Sequence, residues 1–319
     1  MGDTNLASRS IGILAATIMG AFAVPASALT FDITYTAAVQ ANANFGAIQT
    51  DINFVESVFS GLYSDNVTLN FTVDQGGGLG GSLFSNAYYR GSYTSIKTAL
   101  TGDAKSADDA TAVASLPATA PFGTGANSWY VTSSQAKALG LLAANNAASD
   151  GTYTFGSAAG LFDFDPSDGI TAGAYDFIGT TEHEFSELMG RVTQLGNGNF
   201  GYTAYDAFRY TAPGVRNVTS GASADCGVYY SIDGGTTNEK GFNCIDPTNA
   251  DIQDWADGVP SDPFNAYGSP GVVNSLTATD VQVMDVIGWD LASTTVPEPG
   301  TLALASLAGL GLLRRRKQA

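Results

Sequence analysis

The chain has 319 residues, 13 Lys+Arg against 30 Asp+Glu, and a formal net charge of -17. An acidic surface of this kind repels phosphate backbones, which excludes nucleic acid as a partner. Hydrophobic residues make up 44% and aromatics 11%, apolar material enough for a core, which excludes global disorder. The single histidine, His183, excludes any site that needs two imidazoles from one chain.

In chain order, residues 1–28 read as a secretory signal peptide: Arg9 is the positive flank, Ile11 to Val24 a short apolar run, and Ala26-Ser27-Ala28 the small residues at a cleavage site. Residues 29–295 then form one domain, with an upper lobe to about residue 192 and a lower lobe over 193–295. Phe31 to Thr36 alternates as a strand, and Phe45 to Leu62 carries Ile48, Ile52, Val55, Val58, Phe59 and Leu62 at helical spacing. Asp65-Asn66 makes a turn, Val67 to Val73 alternates as a half-buried strand, and residues 75–82 are a glycine-rich, flexible loop. Residues 88–115 read as helical with Ser and Asp breaks, Ser134 to Ala147 as an amphipathic helix, and Thr152 to Gly156 as a short strand.

Asp163, Asp165, Asp168 and Gly169 form a D-x-D-x-x-D-G run with two readings, a solvated acidic turn or an oxygen-ligand site for calcium. Residues 193–280 are rich in Gly, Asn and Asp and predict a loop-dominated lobe, and Ala278 to Trp289 a closing helix with Met284 in the core. Cys226 and Cys244 are close in sequence within an exported segment, which favours one disulfide, worth about 3 kcal/mol by chain entropy, over two free thiols.

The tail has three parts in order: Val296-Pro297-Glu298-Pro299-Gly300, an apolar run from Thr301 to Leu313, and the cationic Arg314-Arg315-Arg316-Lys317. Residues 296–319 thus resemble the PEP-CTERM sorting signal of Gram-negative bacteria. The resemblance implies recognition by exosortase-type machinery, cleavage near the Pro-Glu-Pro, and a cell-surface or extracellular destination.

Chemistry concentrates in Thr180 to Arg191. Thr181 with Glu184 fits a capping box, so a helix is expected to start there, with Gly190 just past its end. On that helix His183 and Glu187, four apart, share a face and can grip one metal ion. Glu184 is turned about 100° away, where a general base stands in H-E-x-x-H metalloproteases. A bland alternative is a solvated polar helix face. A zinc site needs about three protein ligands and an open position for water, and a carboxylate in place of a second imidazole also suits a harder divalent ion. Asp206, in a polar turn after the helix, is the candidate third ligand, or else a cap or turn residue. Arg191 and Arg209 are expected to orient ligand carboxylates, support a developing oxyanion, or form structural ion pairs, and Tyr210 is a candidate electrophilic donor.

His183-Glu184-Phe185-Ser186-Glu187-Leu188-Met189-Gly190-Arg191 resembles the H-E-x-S-E-x-M-G-R segment of PEP-CTERM-tagged bacterial zinc metalloproteases. Residues 175–179, 206–216, 230–235 and 280–289 are similar to the same family, so the resemblance spans most of 45–290. More distantly the chain is similar to the metzincins, H-E-x-x-H-x-x-G-x-x-H, through His183, Glu184 and Gly190. Glu187 and Thr193 depart at the second and third ligand positions. What this implies is an α+β, metzincin-like protease domain: a mixed twisted sheet, an active-site helix and a loop-rich C-terminal lobe. It implies an exported zinc endopeptidase acting on a protein or peptide, with Glu184 as base; the chain is expected to be a monomer. The alternative is an inactive surface or extracellular-matrix protein on a degenerate fold, and a third possibility is a purely structural metal.

Overall fold

The alternation at the start of the domain becomes β1 (Thr30–Tyr35) in a computed structural model that describes residues 29–84, 88–121, 129–195, 201–218, 226–244, 251–256 and 261–292. The signal peptide and sorting tail lie outside the described residues. After one turn, α1 (Ala37–Gln40), comes α2 (Phe45–Leu62), with the bounds its periodicity predicts. Ile48, Ile52, Val55 and Phe59 are fully buried along one stripe. The helix stops where Tyr63 turns extended and bridges to Leu291. In β2 (Thr68–Gly76), Leu69, Phe71 and Val73 alternate inward.

The glycine-rich segment is partly a strand rather than a loop. After the turn, β3 (Gly80–Leu83) forms the edge of the main sheet. The reason is close approach: a Cβ on Gly80 would stand 2.5 Å from Oε1 of Glu184 and 3.0 Å from Cγ2 of Thr180, so glycine lets this backbone lie against the helix beyond it without displacing either side chain. Residues 88–115 likewise divide, into β4 (Tyr88–Gly91), α3 (Tyr93–Asp103) and α4 (Ala107–Ser115). The serines that look like breaks are caps: Ser92 accepts from the Ser95 amide at 3.1 Å and Ser106 from the Asp109 amide at 2.9 Å.

β5 (Trp129–Thr132) leads into α5 (Ser133–Ala138), which is far shorter than the expected 134–147 helix. It ends because Gly140 adopts a left-handed φ of 67°, after which the chain runs in turns. β6 (Gly151–Gly156) completes the main sheet, ordered β1-β2-β6-β3, with β3 antiparallel to β6 and the other pairs parallel.

The short parallel pair β7 (Phe162–Asp163) and β8 (Tyr175–Asp176) brackets the acidic turn and feeds α6 (Phe177–Leu188). Phe185 of α6 meets Phe71 at 5.1 Å, Tyr153 at 5.8 Å and Phe31 at 5.9 Å, which seats the helix on the sheet. Beyond it, β9 (Tyr202–Thr203) joins β5. β10 (Arg209–Ala212), β11 (Val215–Arg216), β12 (Tyr229–Tyr230) and β13 (Lys240–Gly241) make a small antiparallel sheet amid loops. Cys226 and Cys244 form the expected disulfide. The last helix, α7 (Ala278–Val286), buries Met284 as core. The fold is thus α+β, with several sheets and seven α-helices among the described residues.

One core-facing position of α2 is acidic. Asp51 of α2 is buried, its Oδ2 has no hydrogen-bond partner, and burial, with the Asp176, Asp165 and Asp163 carboxylates, pushes it up to about 7. The folded chain therefore keeps a proton that the unfolded chain loses near pH 4, so this residue destabilises the fold increasingly as pH rises from 4 to 7. Asp51→Asn is expected to raise the Tm at pH 8, by about 2–4 °C for each kcal/mol recovered. The gain should vanish near pH 4, which thermal melts at the two pH values check.

Candidate metal centre

The α6 helix begins one turn earlier than its sequence suggests. Its N-cap is Asp176, whose Oδ1 accepts from the Gly179 amide at 3.1 Å. The Thr181–Glu184 capping box does not form. Thr181 instead donates to the Phe177 carbonyl at 2.8 Å, because four residues of helix already precede it. Gly190 does lie just past the end, at φ 121°, where a Cβ would press on Gln135 at 2.8 Å.

His183 and Glu187 share one face, with His183 Nε2 3.5 Å from Glu187 Oε1. Asp254 Oδ1 stands 3.6 Å from the same nitrogen. Among the described residues, these three are the group of His, Cys, Asp or Glu side chains whose ligand atoms all lie within 4.8 Å of one another. Ligands at about 2.0–2.2 Å from a tetrahedral zinc are separated by distances of this order.

The acid that the fold brings beside His183 and Glu187 is Asp254 and not Asp206. Asp206 is buried in its own turn, where its carboxylate accepts from the Thr193 hydroxyl and from the Gln194 and Thr203 amides at 3.2 and 2.8 Å. Those donors hold the connection between α6 and β10. Asp254 is delivered by Trp255, which is fully buried, bridges to Phe242 and Asn265, and donates from Nε1 to Asp280 at 2.7 Å. No periodic pattern marks Asp254 in the sequence, and Trp255 beside it is the one local sign of an anchored segment.

A surrounding set of partners holds each ligand. The Nδ1 of His183 is 2.7 Å from the Pro263 carbonyl. A carbonyl only accepts, so Nδ1 carries the proton and Nε2 is the atom aimed at the two carboxylates. Glu187 Oε2 accepts from Ser82 at 2.6 Å and its Oε1 from Gln253 at 2.9 Å. Arg191 is fully buried and stacks over Phe264 at 4.2 Å. Its Nη1 donates to Asp254 Oδ1 at 2.6 Å, its Nη2 lies 3.7 Å from Glu187 Oε1, and its Nε donates to Ser186 at 2.8 Å. It therefore orients both carboxylates.

Arg209 and Tyr210 serve elsewhere. The Arg209 guanidinium lies 3.9 Å over Phe242 and donates to the Ile252 carbonyl at 2.6 Å, so it fixes the backbone leading to Asp254. Tyr210 lies under Arg216 at 4.8 Å on β10 and is not among the residues lining the cavity at His183. Asp163, Asp165 and Asp168 form no three-ligand group. Asp163 accepts from the Asp165 and Thr171 amides at 2.9 and 2.7 Å, and Asp165 from the Ser167 hydroxyl at 2.6 Å.

Glu184 is turned from the ligands into a cavity of about 230 Å³ that His183, Asp254, Gly80, Asp251 and Asp262 also line. It is buried, and its Oε2 has no hydrogen-bond partner. Such an orphaned carboxylate facing a cavity beside three converging ligands has the placement of a group that exchanges protons with something bound there.

Where a protein with this site operates follows from its tail. Residues 295–317 match the PEP-CTERM protein-sorting motif. The motif marks an exported protein, recognised by exosortase machinery and processed for the cell surface or the extracellular space. No curated protein and no solved structure matches the chain. Among the described residues, no helix is long and apolar enough to cross a membrane.

Burial pulls the His183 imidazole down, but the Asp254 and Glu187 carboxylates outweigh it and raise it to about 10. Burial pushes Glu187 up, yet His183, Arg191 and Gln253 hold it well below the usual carboxylate range. Glu184, by contrast, is driven up by burial and by the Glu187 charge. The centre thus demands positive charge at Nε2, met by a proton or by a metal ion that displaces it. Asp254→Ala is expected to weaken zinc binding by more than the about 10–100-fold typical of losing an outer partner. Asp206→Ala should lower the Tm and leave metal stoichiometry intact, as equilibrium dialysis with elemental analysis would measure.

Proposed function

We propose that this chain is an exported metal-dependent endopeptidase, with zinc the first candidate among divalent ions, and Glu184 as general base. The observation that carries the reading is convergence: His183 Nε2, Glu187 Oε1 and Asp254 Oδ1 face one point, and Glu184, with one carboxylate oxygen unpartnered, lines the cavity beside them. The residues fit a divalent ion chemically. One neutral imidazole and two carboxylates make a permissible zinc set, and each is braced from behind, as metal ligands commonly are. When bound, zinc supplies a Lewis acid that polarises a carbonyl and acidifies a water to a pKa of roughly 7.

The remaining work falls to the chain. Glu184 accepts the proton of the attacking water as oxygen bonds to the peptide carbonyl carbon. It returns that proton to the departing amine nitrogen as the C–N bond breaks. Arg191, by holding Glu187 and Asp254, favours the charged form of each and keeps both in register. The metzincin-like assignment belongs to this proposal. It is supported by the order of elements: parallel strands with an antiparallel edge, a His-Glu helix after them, and a loop-rich remainder stapled by a disulfide.

One observation favours the alternative, an inactive surface or matrix protein. Arg191 Nη1 already engages the Asp254 oxygen that faces His183, at 2.6 Å, so the carboxylate is balanced without a metal. The two readings separate in one pair of measurements. Glu184→Gln is expected to keep stoichiometric zinc and to lose peptide hydrolysis by about 10²–10⁴-fold. Wild-type protein that takes up zinc but releases no new amino groups from a peptide library, or that binds no metal at micromolar zinc, would sink the peptidase reading.

A further inference from the structure

The cavity at Glu184 carries more negative charge than a metal centre needs. Glu184, Asp251, Asp254 and Asp262 all line it, and among the described residues no Lys or Arg does. Two of the four are balanced from outside. Arg191 pairs with Asp254, and Lys240 pairs with Asp262 while also reaching Asp280. With a divalent ion on the three ligands, that ion and Arg191 together offset Glu187, Asp254 and Glu184. Asp251 is offset by none of these cations. It is exposed to solvent and has no ion-pair partner among the described residues. Its backbone is nonetheless held: its carbonyl accepts from Asn243 Nδ2 at 3.2 Å and from the Asp254 amide at 3.5 Å. The backbone that carries this carboxylate is therefore held three residues from a proposed ligand, at the cavity where the scissile bond would lie.

A second feature points to an occupant. Glu184 is 6% exposed, its Oε2 has no partner, and it faces the same space. Leu79, Ala266 and Tyr267 supply apolar wall beside these acids. Carboxylate at the mouth and apolar wall within suit a side chain with an aliphatic stem and a cationic head.

We propose that Asp251 selects substrates presenting an ammonium or guanidinium group next to the bond that is cut. The inference rests on the peptidase reading and supplies its substrate class. The cation can come from a Lys or Arg side chain or from a free peptide N-terminus, and both would dock on the same carboxylate. Attraction of this kind between partly solvated charges weakens as salt rises.

Calorimetry on the zinc-loaded protein tests this with three short peptides: capped with lysine, capped with norleucine in its place, and lysine-free with an open N-terminus. Mass spectrometry of the same samples follows cleavage separately. The lysine or open-terminus peptide should bind about tenfold tighter than the capped norleucine peptide, a modest charge-pair effect. Which of the two gains identifies the source of the cation. The advantage should disappear in Asp251→Asn and reverse against cationic peptides in Asp251→Lys. Equal affinity for all three, or a preference that survives Asp251→Asn, overturns the inference even where cleavage is seen. A preference that depends on Asp251 supports it even where no bond is cut, and in that case only the peptidase reading fails.

Discussion

A fully buried guanidinium organises this protein's centre. Arg191 leaves the end of α6 and reaches Asp254, 63 positions further on, while staying near Glu187 on its own helix. Burying one cation among acids costs desolvation that only near-complete pairing offsets. The pairing here is close to complete: Asp254, Ser186 and the Phe264 ring occupy its donors and its face. Because the arginine cannot leave without stranding two buried carboxylates, the segment carrying Asp254 is locked to the helix carrying His183.

That lock explains the supporting architecture. Pro263 sets the His183 tautomer, and Ser82 and Gln253 hold the Glu187 carboxylate from opposite sides. Ser82 can do so only because β3 runs against α6, which Gly80 permits by lacking a Cβ. Trp255 and Arg209 in turn tie down residues 251–256, a stretch with little regular structure. Each of the three side chains is therefore braced by an element distant in sequence, the arrangement that lets a site hold its geometry.

Periodic elements were legible from residues alone. α2 follows its apolar spacing to both ends, and β1, β2 and β6 follow their alternation closely, since burial on one face leaves a period that a reader can count. Local capping misled in both directions. Ser92 and Ser106 looked like interruptions but start helices, whereas Thr181 looked like a start but sits inside one. A hydroxyl near a helix has the same composition in either role, and only the preceding backbone decides which it takes.

At the site, the division is between what one helical turn places and what folding gathers. The sequence by itself determined that His183 and Glu187 face the same way and that Glu184 diverges, because 3.6 residues per turn leave no choice. It also determined export, through a tail whose parts act by order and polarity. Only the tertiary structure chose Asp254 over Asp206 as their companion. Both are aspartates in irregular segments, and what separates them is where their partners stand: amides of its own turn claim Asp206, and Arg191 draws Asp254 to the helix.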